Sequence, residues 1–120
     1  SVSGAGKKAM DELYNQTKAK FIFEDVESKH FPRQIAFNLH PQIGNFLPNG
    51  STEEEDKIAK ELKKIIGDHC HVSVTCVRVP VFVSHSLSVN IEFENDISVV
   101  DACEVLSNQE GVLISTHLNE

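Results

Sequence analysis

The chain has 120 residues, 40% hydrophobic and 24% charged, and this balance excludes disordered, collagenous and coiled-coil proteins. Its formal charge of −7 argues against nucleic acid or an anionic membrane as a partner. No apolar run approaches the ~20 residues of a membrane-spanning helix. The three cysteines are odd in number and form no CxxC pair. We therefore expect no disulfide framework and a cytoplasmic location.

The chain begins at Ser1 without an initiator methionine, and its last residues follow an apolar run. We therefore expect a single domain, residues 1–120, cut from a longer protein. Such a piece would hold only part of an active site.

The first predicted element is a helix that ends near Thr17, with Ser3 as its N-cap. The SGAG run at residues 3–6 is either a tight turn or a place where backbone amides approach an anion or a cofactor. Two short strands are predicted next, at 21–23 and at 35–39. A loop rich in proline and glycine follows, from Pro41 to Gly50.

The clearest helix is predicted over 51–66. Thr52 and Glu55 have the spacing of a capping box, and Gly67 suits the position after the last turn. Strands are predicted at 72–77 and 87–93, with Pro80 marking an edge, a bulge or a break between them. Ser98 should cap a third helix, and a last strand is predicted at 112–114. This order predicts an α+β fold, a mixed or antiparallel sheet covered by helices.

Two residues of the central segment could carry chemistry. Arg78 lies in an apolar run, where its planar guanidinium suits a carboxylate or phosphate, or else forms a salt bridge at a sheet edge. His85 has the side chain that usually serves as a general base, but a lone surface histidine is also common. Because the two are seven residues apart, they share one face only if Pro80 or a turn near Ser84 interrupts the alternation.

Two further groups have a structural and a functional interpretation. Glu54 and Lys57 are neighbours at the start of a helix. They either form a surface ion pair or bind a ligand, one an ammonium group and the other an anion. His69 and His71 flank Cys70 without the spacing of a zinc site, so we expect no bound metal. Cys76 and Cys103 are expected to be buried core thiols.

Five sequence blocks, in the same order, resemble aspartate-semialdehyde dehydrogenases, most closely the bacterial branch. The longest has the CVRVPV run at 76–81 and the HSLS run at 85–88, similar to the family pattern C-V-R-[VI]-P-V…H-S-x-S. The other blocks are SGAG at 3–6, FPRQIAFN at 31–38, PQI at 41–43 and the E-x-x-K pair at 54–57. The resemblance extends from residue 1 to residue 114.

The resemblance implies an oxidoreductase that uses NADPH to reduce L-aspartyl 4-phosphate to L-aspartate 4-semialdehyde and releases phosphate. The reaction belongs to lysine, threonine, methionine and diaminopimelate biosynthesis. The family forms a thioester and then transfers hydride to it. The resemblance implies that His85 is the acid/base residue. Arg78 would bind the α-carboxylate of the substrate, Glu54 its ammonium group and Lys57 the phosphate. Ser3 and Gly4 would bind NADP near the nicotinamide.

The implied fold resembles the C-terminal domain of glyceraldehyde-3-phosphate dehydrogenase. The full enzyme would be a homodimer or homotetramer with a small-molecule substrate. The family's nucleophilic cysteine, its Rossmann NADP-binding domain and its closing strands have no counterpart in the chain. We therefore expect a partial catalytic and dimerisation domain that is inactive alone. The alternatives are a stand-alone α+β amino-acid-binding regulatory module, which would need neither Arg78 nor His85, and a purely structural dimerisation domain.

Overall fold

The computed structural model describes residues 1–115, and their regular secondary structure is helical. A 3-10 turn at Ser3–Ala5 precedes three helices: α1 (Lys7–Phe21), α2 (Glu53–Ile66) and α3 (Val99–Ser107). The chain divides into a first unit, Ser1–Ser86, and a second unit that starts at Leu87. None of the described helices has the length and apolar character needed to cross a bilayer.

Helix α1 is confirmed, but both of its ends differ from the prediction. Gly6, with φ +88°, precedes the helix and allows the chain to turn out of the 3-10 turn. Ser3 lies inside that turn, so its assignment as N-cap is wrong. At the other end the helix continues to Phe21. The strand predicted at 21–23 is therefore wrong, and Phe23 instead has φ +59°.

One face of α1 forms the apolar core of the first unit. This core is small, and Met10 packs against it from a partly buried position. Its buried members are Val2, Ala9, Leu13, Phe31, Ile35 and Ala36. Half of them come from the segment at 31–36, so α1 must hold a stretch of irregular backbone against its surface.

A buried carboxylate on α1 binds the first part of that segment. Glu12 is 7% exposed. Its carboxylate accepts hydrogen bonds from the backbone N–H groups of Lys29 (3.0 Å), His30 (2.6 Å) and Phe31 (3.4 Å). Hydrogen bonds to several amides offset the cost of burying the charge.

A buried amide one turn later on α1 binds the second part. Gln16 Oε1 accepts from the N–H groups of Ile35 (2.9 Å) and Ala36 (3.1 Å). Its Nε2 donates to Glu12 Oε1 (3.1 Å) and to the carbonyl of Glu27 (2.9 Å). The strand predicted at 35–39 is wrong, because these amides bond to a side chain and Phe37 turns the chain with φ +59°. The two side chains supply the hydrogen bonds that a strand partner would otherwise provide.

Helix α2 is confirmed over Glu53–Ile66, two residues later than the predicted start at 51, and its capping residues are those predicted. Glu55 Oε2 accepts from the N–H of Thr52 at 2.7 Å, which is the capping contact that the spacing predicted. Gly67 follows the last turn with φ +96°, and its N–H bonds to the carbonyl of Lys63. Glu55 has a second role, because its Oε1 accepts from the N–H of Cys76 at 3.0 Å. One carboxylate therefore both caps α2 and joins it to the segment at 76.

The predicted sheet is not supported by the structure. The segments at 72–77, 87–93 and 112–114 form no strands, and pairing within residues 1–115 is limited to isolated bridges, His40 with Arg78 and Phe46 with Thr52. Alternation of apolar and polar residues predicts which face each side chain takes. It does not supply the neighbouring strand that a ladder of hydrogen bonds requires.

Helix α3 of the second unit is confirmed. Ser98 caps it as predicted, accepting from the N–H of Asp101 at 3.1 Å through its hydroxyl. The helix ends at Ser107, and its first apolar residues, Val99 and Val100, are 81% and 74% exposed.

We predict that replacing Gln16 destabilises the first unit. Gln16→Met keeps a side chain of similar length but leaves the amides of Ile35 and Ala36 without an acceptor. Each buried donor without a partner costs about 1–3 kcal/mol. With two such donors, we expect the free energy of unfolding in urea to fall by about 2–6 kcal/mol. Asn15→Met, at the exposed neighbouring residue, is the control; an equal loss there would contradict the role of Gln16.

We predict that Glu55 makes stability depend on acid pH. Its pKa lies below the ordinary value of 4.5, first because of the hydrogen bond from the Thr52 amide and then because of that from Cys76. A carboxyl whose pKa is depressed by folding stabilises the protein above its unfolded pKa. That contribution is lost as the pH falls through the folded value.

The measurement is thermal unfolding between about pH 5 and about pH 3, the window in which such a carboxyl is protonated. The melting temperature of the unmodified chain should fall more steeply than that of Glu55→Gln. Glu61→Gln, at an exposed position of the same helix, should keep the steeper slope. Parallel curves for the chain and for Glu55→Gln would refute the prediction.

Candidate functional site

The residues at the start of the chain bind to the segment that carries Arg78 and His85. The N–H of Val2 donates to the carbonyl of Val81, and the N–H of Ser3 donates to the carbonyl of Phe82, both at 2.9 Å. The SGAG run and the segment at 76–85 are thus neighbours, although they are far apart in sequence.

Arg78 lies against the first residues of the chain. Its Nη1 donates to the carbonyl of Ser1 at 2.7 Å, and a Cβ added at Gly4 would lie 3.6 Å from the same atom. Its backbone is paired with that of His40 by two hydrogen bonds of 2.8 and 3.0 Å. Among residues 1–115, no carboxylate forms an ion pair with Arg78. The salt-bridge interpretation of this residue therefore finds no partner in the described part of the chain.

The guanidinium of Arg78 also lies over an aromatic ring. Its Cζ is 5.8 Å from the centroid of Phe31, a cation–π distance. Phe31 is 8% exposed, and the ring of His40 meets it edge-on, at 5.8 Å between centroids and 71° between planes. Neither Phe31 nor His40 was predicted from the sequence to be a site residue. They are recognised as part of the site only because both contact Arg78, which is 38 positions from His40 and 47 from Phe31.

Glu54 and Lys57 form the ion pair that their spacing predicted. Lys57 Nζ lies 3.3 Å from Glu54 Oε1, and the two side chains are 56% and 36% exposed. Exposed pairs of this kind are worth little. Both groups can therefore exchange partners at low cost when a ligand carries the complementary charges.

Glu55 connects this ion pair to the arginine segment. It is the residue next to Glu54 and accepts the N–H of Cys76, two residues before Arg78. The first turn of α2 and the backbone near Arg78 are thus fixed relative to each other by one side chain.

His85 is exposed, and no hydrogen bond or ion pair to it is found within residues 1–115. The chain between Arg78 and His85 does turn. The N–H of Val81 bonds to the carbonyl of Val79 at 2.8 Å across Pro80, as in a γ-turn, and Ser84 has φ +84°. The alternation is interrupted as the prediction required, while a pocket shared by Arg78 and His85 stays a prediction.

The cysteines are free thiols. Cys76 is buried as predicted, whereas Cys103 is half-buried, so the prediction of a buried core thiol is wrong for Cys103. Cys70 is also half-buried. Burial raises the pKa of the Cys76 thiol, and the carboxylates of Glu55 and Glu54 raise it further. A thiol in this setting is a poor nucleophile. In the described part of the chain, no group of three or more His, Cys, Asp or Glu side chains is placed to hold a metal ion.

Two surface concavities lie elsewhere on the first unit. One is lined by polar residues of α1 and of the segment at 24–30, the other by residues between 32 and 46. Neither is lined by Arg78, Glu54, Lys57, His85, Ser3 or Gly4. The structure brings Arg78 together with the SGAG turn, and Glu54 together with Lys57.

Comparison with known proteins identifies the family to which the chain belongs. The sequence profile of the family described as semialdehyde dehydrogenase, dimerisation domain, matches residues 1–120. The aspartate-semialdehyde dehydrogenase of Rickettsia bellii is 60% identical over 114 residues, covering 95% of the chain and 34% of that protein. The one of Rickettsia typhi is 54% identical over 120 residues, covering 100% and 36%. The chain thus spans about a third of the length of these relatives.

Solved structures agree with the sequence relatives. A crystal structure of aspartate semialdehyde dehydrogenase II from Vibrio cholerae matches with a TM-score of 0.65 and 50% identity, over 68% of this chain and 24% of that one. A second crystal structure of that enzyme, complexed with ASA, matches equally well. The chain belongs to the semialdehyde dehydrogenase dimerisation domain family.

Proposed function

We propose that the chain is part of an aspartate-semialdehyde dehydrogenase, within its catalytic and dimerisation domain. The full enzyme would act in the cytoplasm as a homodimer or homotetramer. It would convert L-aspartyl 4-phosphate and NADPH to L-aspartate 4-semialdehyde, NADP and phosphate, a step of lysine, threonine, methionine and diaminopimelate biosynthesis. Support comes from the identity to enzymes of this name, which reaches 60%. In the whole enzyme, the sheet that residues 1–115 lack would complete a fold like the C-terminal domain of glyceraldehyde-3-phosphate dehydrogenase.

The observation that carries the proposal is the environment of Arg78. Its guanidinium is half-buried and oriented by the Ser1 carbonyl, yet it has no carboxylate partner among the described residues. A guanidinium held in this way offers a planar fork of donors that matches a carboxylate. In this proposal the α-carboxylate of the substrate is that partner.

The charged pair on α2 would bind the other two charges of the substrate. Glu54 would accept hydrogen bonds from the ammonium group, and Lys57 would bind the phosphate as a point charge. Since the pair is exposed and weak, it can open toward a ligand that carries both charges. His85, exposed and without a partner in the described chain, would hold or release the proton that the nucleophile exchanges.

Ser3 and Gly4 are compatible with a contact to NADP. The N–H groups of Val2, Ser3, Ala5 and Gly6 are used in backbone hydrogen bonds, whereas no such bond is found for that of Gly4 within residues 1–115. Gly4 is also exposed and has no side chain to obstruct a ligand. A polar group near the nicotinamide could accept this N–H, and NADP, when bound, would supply or accept the hydride.

We predict that Arg78 governs substrate affinity. The test is a chimera in which this chain replaces the matching segment of the full-length Rickettsia bellii relative. Its assay is NADP reduction with L-aspartate 4-semialdehyde and phosphate. Loss of a charged hydrogen bond costs about 1.5–3 kcal/mol, so Arg78→Lys should raise the KM for the semialdehyde about 10- to 100-fold.

The matched control is Arg33→Lys, at an exposed arginine of the same unit, and it should leave KM unchanged. His85→Asn should instead lower kcat, by about 10²- to 10⁴-fold for a lost acid/base group, with His69→Asn as its control. An unchanged KM in Arg78→Lys would remove the carboxylate role. An inactive chimera with a normal melting temperature would count against the proposed function.

We predict that the chain alone turns over no NADP with the same substrates. The raised pKa of the buried Cys76 thiol makes it a poor nucleophile, and the resemblance assigns the family's nucleophilic cysteine to no position of the chain. Turnover by the purified chain that is abolished by alkylation would refute this. Binding of lysine or threonine by calorimetry, unaffected by Arg78→Lys or His85→Asn, would favour the amino-acid-binding module instead.

A further inference from the structure

We propose that Phe31 is a positioning residue for Arg78, holding the guanidinium in the orientation that receives the substrate carboxylate. The inference rests on the proposed function of Arg78 and extends it to a residue that does not itself touch the substrate. The observation behind it is the cation–π contact of 5.8 Å between the Arg78 Cζ and the Phe31 ring.

Phe31 is itself held in place from two sides. Its backbone N–H donates to the buried carboxylate of Glu12 at 3.4 Å. The ring of His40 packs edge-on against it, and the Nε2 of His40 lies 3.1 Å from the carbonyl of Gln34. Since His40 also pairs with the backbone of Arg78, both ends of the arginine are fixed by the same small group of residues.

An aromatic ring suits this task better than a charged partner would. A guanidinium has five N–H donors, and the Ser1 carbonyl uses one at Nη1. A carboxylate facing Arg78 would take further donors and neutralise the charge. The π face of Phe31 attracts the cation without occupying the N–H groups at its edge. The arginine is thus immobilised while its hydrogen-bonding capacity stays available to a ligand.

Phe31 also belongs to the apolar core, so its test must separate orientation of Arg78 from core packing. A double-mutant cycle makes this separation, because it measures whether the effect of Phe31 requires Arg78. The variants are Phe31→Leu, Arg78→Met and the double variant, in the Rickettsia bellii chimera described above. The readout is the KM for L-aspartate 4-semialdehyde, with kcat and the melting temperature recorded alongside.

We expect Phe31→Leu to raise KM about 3- to 30-fold, the range that corresponds to a cation–π contact. The kcat should change less than about twofold, since the residue does not touch the reacting atoms. Phe31→Tyr, which keeps the ring, should have the same KM as the unmodified chimera. In the Arg78→Met background, Phe31→Leu should have no further effect on KM.

Two controls keep the result interpretable. Phe21→Leu alters an aromatic residue that is 71% exposed and should leave KM unchanged. If Phe31→Leu does not fold, Phe31→Met provides a second apolar side chain without a ring, and the same cycle is run with it.

Three results would overturn the inference. The first is an equal rise in KM when Phe31→Leu is added to Arg78→Met, which would indicate a packing effect. The second is a KM for Phe31→Leu that matches the unmodified chimera. The third is an unchanged KM in Arg78→Met alone, which would reject the carboxylate role itself. The first two leave that role intact, so failure of this inference and failure of the proposed function are distinguishable.

Discussion

The first unit depends on two polar side chains buried on one face of α1. Glu12 and Gln16 together accept hydrogen bonds from five backbone N–H groups of the segment at 29–36. Without a strand beside it, this segment has no other source of acceptors for those amides among the described residues. Because buried amides without partners are costly, the two side chains determine where the segment lies. Its apolar residues then complete the core.

The candidate site is built outward from this arrangement. Glu12 fixes the backbone of Phe31, the ring of Phe31 faces Arg78, and the Ser1 carbonyl orients the guanidinium. On the other side, Glu55 ties the first turn of α2 to Cys76. Charges that would bind one ligand therefore reside on different segments that are joined by hydrogen bonds. Phe31 is buried, Arg78 is half-buried, and Lys57 and His85, which would also meet the ligand, are exposed.

The elements that could be predicted from the sequence are those whose signals are local. The cap at Ser98, the Thr52–Glu55 contact and Gly67 each depend on residues within a few positions of one another. The strands could not be predicted correctly, because a ladder needs a distant partner that alternation does not identify. The role of Gln16 was equally hidden, since a glutamine one turn after a glutamate is typical of a solvated helix face.

The same distinction applies to the site. Arg78, His85, Glu54 and Lys57 were selected from residue type and from the resemblance to a family, and the structure places Arg78 beside Gly4. Phe31 was missed because its contact with Arg78 spans 47 positions, and no pattern within either segment encodes it. Residues that bind ligands carry distinctive chemistry in their own side chains. Residues that orient them are recognisable only from three-dimensional contacts.

The contact between Arg78 and Ser1 also affects the order in which the chain can fold. It joins residues 77 positions apart, so forming it requires the closure of a long loop, at an entropic cost that helices do not incur. Helices α1 and α2 form from contacts a few residues apart. Consequently, a chain in which only these helices have formed still has an unplaced guanidinium. The proposed binding surface is complete only when the first residues of the chain meet the segment at 78–82.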